Sequence, residues 1–221
     1  MNLKFFLPKS LYERRLYNKI IQNKEKIPKH LTLVLSESDI LGKSKTLKPF
    51  IYWCKEIGIT IITIYISVNN VNGITGRKIC ARLRRELTIE LRDINAKINI
   101  ISRTHQTQIN TLKSPIQLNI SIGYSGKYEL LNATKAIMKK VESGEIEPKD
   151  INESLIESHL LFKHEPDLVI RAGGKRLTDF LIWQAVYSEL YFTDVNWNNF
   201  RKIDLLRAIR DFQNRQRRYG K

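Results

Sequence analysis

The residues best equipped for chemistry lie together at 167–180, in the run Asp167-Leu-Val-Ile-Arg-Ala-Gly-Gly-Lys-Arg-Leu-Thr-Asp-Phe180. An apolar stretch leads into two glycines, two arginines and a hydroxyl, just ahead of a segment with helical spacing. Glycines let backbone N–H groups approach a ligand closely, a helix start adds partial positive charge, and Arg171 and Arg176 offer forked donors. With Gly174 and Thr178 they form a set suited to a phosphate or diphosphate. The same residues also fit a plain turn with its arginines in water, and composition alone leaves both readings open. There is no Walker A loop, and adjacent glycines do not make a dinucleotide fingerprint.

Such a loop needs a scaffold. Short β-branched runs at 31–35, 60–66, 98–101, 116–122 and 167–170 read as strands. The first two are apolar on nearly every residue, as expected of parallel strands buried on both faces. Helical spacing lies between and beyond them, near 45–57, 77–93, 128–142, 150–161, 179–188 and 202–217, with Gly58 where a left-handed cap is wanted. The alternation predicts a single α/β domain over 1–221, with a mostly parallel central sheet flanked by helices. Residues 1–29 are expected to hold a basic amphipathic helix, with Tyr12, Leu16 and Ile20 on one stripe, and 202–221 a terminal helix and tail. In an open parallel sheet, ligands gather beyond the carboxyl ends of the strands. That adds Ser36-Glu-Ser-Asp39, Ser67-Val-Asn-Asn70 and Gly123-Tyr-Ser-Gly126 to the candidates.

The 221 residues carry 38 Lys and Arg against 22 Asp and Glu, a net charge of +16. A surplus of that size expects a polyanion. Residues 1–29 hold eight basic residues against Glu13 and Glu25; residues 201–221 hold eight against Asp204 and Asp211. Cys54 and Cys80 are too few for a disulfide scaffold or a zinc site, which points to a reducing cytoplasm. His30 reads as a structural hydrogen-bonding residue, and His105, His159 and His164 lack metal spacing. No secretory signal is read at Met1 to Lys9, and no stretch is apolar enough to span a membrane.

The run from Phe180-Leu-Ile-Trp-Gln through Ser188-Glu-Leu-Tyr-Phe192 resembles the C-terminal signature of cis-prenyltransferases, the undecaprenyl and dehydrodolichyl diphosphate synthase family. Leu11-Tyr-Glu-Arg-Arg-Leu16, Pro28-Lys-His-Leu31 and Trp53-Cys-Lys-Glu-Ile-Gly58 resemble its earlier elements, so most of the chain is covered. The resemblance implies Mg²⁺-dependent elongation of an allylic diphosphate by isopentenyl diphosphate, of the kind that leads to long products such as dolichol precursors. It departs where active members carry a Met-Asp-Gly-Asn-type loop whose Asp holds Mg²⁺. Here Ser36 stands at that position, followed by Glu37, Ser38 and Asp39, and the loop is shorter. A hydroxyl is a poor substitute for a carboxylate at a hard cation.

This pattern is similar to the non-catalytic, Nogo-B receptor-like subunits of heteromeric cis-prenyltransferases, which lack the Asp loop and end in Arg-x-Gly. On that likeness no residue of this chain is catalytic. Arg218, Gly220 and Lys221 would reach the diphosphate in the active site of a catalytic homologue, in a heterodimer or heterotetramer. Arg171, Gly174, Arg176 and Thr178 would be a residual isopentenyl diphosphate site or an interface remnant, and Glu189 a metal or interface residue. Mg²⁺ would act mainly through the partner. The N-terminal helix would either cover the sheet or rest peripherally on a membrane. Two other readings remain: a self-sufficient homodimeric enzyme using Glu37 or Asp39, and a basic nucleic-acid binder, against which stands the absence of a reader motif.

Overall fold

The computed structural model describes residues 9–41, 46–109, 114–174, 176–177 and 181–216. β1 (His30–Ser36) and β2 (Ile61–Ser67), the two most continuously apolar strands, lie near the centre of a seven-stranded sheet. β3 (Lys97–Ser102), β4 (Gln106–Ile109), β5 (Gln117–Ile122), β6 (Leu168–Ala172) and β7 (Glu189–Thr193) complete the order β4-β3-β5-β2-β1-β6-β7. Every pairing is parallel except β3 with β4. The expected α/β architecture is what is found.

The continuous apolar runs conceal a difference between faces. Leu31, Leu33 and Leu35 of β1, with Ile62, Ile64 and Ile66 of β2, join the large aliphatic core. That core is closed by α3 (Leu47–Ile57), α4 (Ile74–Glu90) and α7 (Lys202–Asn214), through residues such as Phe50, Leu83 and Leu206. The alternate residues Val34 and Tyr65 belong to a smaller cluster with Tyr124, Phe162 and Leu181, interleaved with buried His30, Thr32, Thr63, Asn119 and Ser121. α5 (Gly126–Glu142) and α6 (Glu153–His159) pack against each other. Gly58 caps α3 at φ 105°, its N–H shared between the carbonyls of Cys54 and Lys55.

α1 (Lys9–Ile21) buries Leu16 and Ile20 and packs on α7, with Gln213 Nε2 donating to the carbonyls of Ile20 and Asn23 at 3.0 Å each. Tyr12, expected on the same stripe, is 42% exposed. Among the described residues no helix is long and apolar enough to cross a membrane.

Two elements differ from the sequence reading. The helix expected at 179–188 is absent over its described part: residues 181–188 run as turns. Gln184 is drawn off to Glu129 and the Phe162 carbonyl, and Ser188 Oγ to the Pro166 carbonyl at 2.6 Å, so tertiary bonds replace helical ones. The edge strands β4 and β7 were not read as strands, because both are short and only partly buried.

His30 is structural, as expected. Its Nδ1 donates to the Glu165 carbonyl at 3.0 Å and Nε2 accepts from Thr63 Oγ1 at 2.8 Å, which fixes a neutral ring. Burial is the main cause of its pKa falling to about 4, reinforced by His164; the Glu165 bond and Asp167 oppose the shift. Between pH 6.5 and about 4 the unfolded chain takes up a proton the folded one refuses. His30 therefore contributes stability that is complete above pH 6.5 and lost as pH falls, by about 3 kcal/mol at pH 4. Urea unfolding should show this acid loss in the native chain and a shallower one in His30→Gln.

Candidate functional site

The parallel register aligns the carboxyl ends of β1, β2, β5 and β6, so Val34, Tyr65, Ser121 and Arg171 share one row. The loops that follow this row converge. After β1 the chain turns into the short α2 (Glu37–Ile40) through a capping box. The Ser36 N–H donates to Asp39 Oδ2 at 2.8 Å, and Ser36 Oγ donates to the same oxygen at 2.6 Å. Glu37 is committed elsewhere, its Oε2 accepting from the Asn69 N–H at 3.1 Å. Both carboxylates of this loop, Glu37 and Asp39, are thus bound to the chain itself. Among the described residues no group of three metal-ligating side chains exists. The donor set after β1 does not fit a resident Mg²⁺.

The loop after β6 meets the same end of β1. Arg171 Nη1 donates to the Val34 carbonyl at 3.0 Å, while its buried Nε has no hydrogen-bond partner among the described residues. Gly174 lies against this guanidinium, since a Cβ there would be 3.3 Å from Nε. Gly173 has φ +67°, and Asn196 Oδ1 would be 2.9 Å from an added Cβ. Arg176 is exposed. Lys175 and Thr178 lie outside the described residues. Arg171 and Gly174 are therefore brought together, beside a buried donor that has no partner among the described residues.

Glu189 is not part of that assembly. It starts β7 opposite Leu168, whereas Ala172 pairs with Thr193, so it sits at the amino end of the sheet, about 13 Å along the strand. Its Oε2 accepts from Arg215 Nη1 at 2.8 Å. That bond is the chief cause of a raised Arg215 pKa, with Asp211 contributing and partial burial opposing. A metal role for Glu189 within this chain has no second ligand to work with among the described residues; an interface role is consistent with its edge position. Arg218, Gly220 and Lys221 lie outside the described residues.

Arg77, Arg84 and Arg103 were missed by the sequence reading, which counted basic residues only over 1–29 and 201–221. They border a cavity of about 410 Å³ between α4 and the ends of β3 and β5. The alternation Arg82-Leu-Arg-Arg85 on a helix was the available signal. Cys80 lines the same cavity; burial raises its thiol pKa and Arg103 opposes that. Cys54 is buried in the core, and burial pushes its thiol pKa up.

A profile of the family described as "Putative undecaprenyl diphosphate synthase" matches residues 41–220. A tritrans,polycis-undecaprenyl-diphosphate synthase (geranylgeranyl-diphosphate specific) of Methanocaldococcus jannaschii is 32% identical, over 94% of this chain and 89% of that protein. The protein of the same name from Pyrococcus abyssi is 33% identical, over 98% of this chain and 96% of its own length. That alignment runs over 255 positions, 34 more than this chain has residues, so at least that many residues of the relative have no counterpart here. Among solved structures, a probable undecaprenyl diphosphate synthase from Campylobacter jejuni superposes with TM-score 0.68 at 25% identity, covering 88% of this chain and 99% of that one. Lavandulyl diphosphate synthase from Lavandula x intermedia, in complex with dimethylallyl diphosphate, gives TM-score 0.73 at 24% identity over 89% and 100% of the two chains, a likeness of fold.

Proposed function

The chain belongs to the undecaprenyl diphosphate synthase family of cis-prenyltransferases, and on that premise we propose that it is the non-catalytic, activating subunit of a heteromeric polyprenyl diphosphate synthase. The observation that carries this reading is the capping box at Ser36, which engages Asp39 where an active site would need a free carboxylate. A partner homologue with an intact Asp loop would hold the metal and ionise the allylic diphosphate. Arg218, Gly220 and Lys221 would extend from the Arg215–Glu189 ion pair towards the partner's diphosphate, where fixed donors stabilise the charge of the leaving group. Arg171, with its unpartnered Nε, and Gly174 are the best-placed residues for a residual diphosphate site of this chain's own.

The self-sufficient enzyme is the second reading. It is favoured by the names of relatives 32–33% identical across nearly the whole chain, which are those of complete synthases. Assaying the purified chain with geranylgeranyl diphosphate, labelled isopentenyl diphosphate and Mg²⁺ separates the two. Under the proposed function, product forms only when a homologue retaining the Asp loop is added; sustained turnover by the chain alone establishes the second reading instead.

Restoring the carboxylate is not expected to restore activity. Ser36→Asp would remove the hydroxyl that donates to Asp39 and set two carboxylates against each other. Because Asp caps helices as well as Ser does, only this repulsion should cost stability, about 0.5 kcal/mol, and the chain alone should stay inactive. Thermal unfolding and the same assay check both parts.

A further inference from the structure

We propose that the outward face of α4 docks the protein on an anionic lipid bilayer. α4 carries five basic residues, Arg77, Lys78, Arg82, Arg84 and Arg85, against Glu86 and Glu90. Cys80, Leu83 and Leu87 mark the side that faces the core. At 100° per residue, Ile74, Lys78, Ala81, Arg82, Arg85 and Ile89 fall within an arc of about 100° on the opposite side. All six are exposed. Ile74 is 67% exposed and Ile89 62%, one at each end of the helix and about 22 Å apart along its axis.

Single exposed apolar side chains are ordinary; this pair is distinguished by the cations between them. Arg82 is paired with Glu86 at 2.7 Å, whereas Lys78 and Arg85 have no ion-pair partner among the described residues. The groove beside them reaches Thr107 of β4, and among the described residues no carboxylate lines it. A nucleic-acid duplex would satisfy these cations and leave both isoleucines in water. The surface of an anionic bilayer takes both kinds of group: its phosphates meet the cations, and the isoleucines enter between the headgroups. The methylene stems of Lys78 and Arg85 add to that contact while their charged ends stay at the surface.

α1, whose stripe and charge suggested a membrane contact in the sequence, commits that stripe within the fold. Leu16 and Ile20 are buried, Lys202 Nζ lies 5.2 Å from the centre of the Tyr17 ring, and the Arg207 guanidinium lies 5.9 Å from that of Tyr12. Leu11 is the one exposed aliphatic side chain of α1 among the described residues. With Arg14 and Arg15 also exposed, α1 supplies a control of equal charge. The proposal does not depend on whether the chain turns over substrate.

The probe is a vesicle of equal parts phosphatidylglycerol and phosphatidylcholine, with binding of the intact chain measured by cosedimentation at physiological salt. The chain is expected to bind these vesicles and not pure phosphatidylcholine. Lys78→Gln with Arg85→Gln should weaken binding at least tenfold, on the basis of about fivefold per cation at the surface. Arg14→Gln with Arg15→Gln removes the same charge from α1 and should change binding less than about threefold, because salt screens charges held away from the contact. Ile74→Ser with Ile89→Ser should weaken vesicle binding about tenfold, with binding to duplex DNA unchanged. Thermal unfolding checks that each pair folds; if the isoleucine pair does not, the α4 cation pair compared with the α1 pair carries the test. No binding, or equal losses for the α1 and α4 pairs, would overturn the docking face. Full vesicle binding by the isoleucine pair would overturn the bilayer and assign the face to polyanions such as nucleic acid.

Discussion

Replacing Glu129 with alanine is expected to lower the unfolding free energy by about 4 kcal/mol. Glu129 is 2% exposed in the first turns of α5. Its Oε1 accepts from the Leu161 and Phe162 N–H groups at 2.7 and 2.9 Å, and its Oε2 accepts from Gln184 Nε2 at 3.0 Å. Truncation strands these donors in the interior, each at a cost of about 1–3 kcal/mol, and leaves a void. Glu129→Gln, which keeps one carbonyl oxygen, should lose about half as much. Urea denaturation followed by fluorescence measures both, and a loss below 1 kcal/mol for the alanine variant would refute the assignment. Glu129 ties α5 to segments 32 and 55 residues further on, so hydrogen exchange over 181–188 should accelerate even in the folded variant.

The second large effect concerns the complex. Arg218→Ala should reduce turnover of the reconstituted pair by about tenfold to a hundredfold, the equivalent of one charge-assisted contact to a diphosphate. Association of the two chains should be unchanged. Arg215 provides the internal comparison, because its guanidinium is already paired with Glu189 and Asp211. Arg215→Ala is therefore expected to change turnover much less than Arg218→Ala. Steady-state kinetics in isopentenyl diphosphate decide the matter: an unchanged KM and kcat for Arg218→Ala would remove the trans-acting tail from the proposed function.

The central strands were legible in the sequence because Leu31 to Leu35 and Ile61 to Ile66 carry few polar interruptions, and burial on both faces demands that. Gly58 was legible because a left-handed cap at φ 105° favours glycine. The segment 181–188 was not legible. Its helical spacing is genuine, but Gln184 and Ser188 find partners in Glu129, Phe162 and Pro166, and local propensity yields to such bonds. The candidate site divided in the same way. The run Ser36-Glu-Ser-Asp39 is visible along the chain. That Asp39 turns back to cap Ser36, and that Glu37 is spent on Asn69, depends on backbone geometry.

The sequence by itself determined the α/β alternation and the family, since each resides in residue type and spacing within a few positions. The positions of the charges were decided only by the tertiary structure. Arg77 and Arg103 are 26 positions apart and lie outside the two basic ends of the chain, yet the crossover from β2 through α4 to β3 brings both onto Asn72. Arg171 and Glu189, 18 positions apart in sequence, lie towards opposite ends of two neighbouring strands because β6 and β7 run parallel. A one-dimensional charge count cannot anticipate either result, because parallel pairing sets direction and register through contacts distant in the chain.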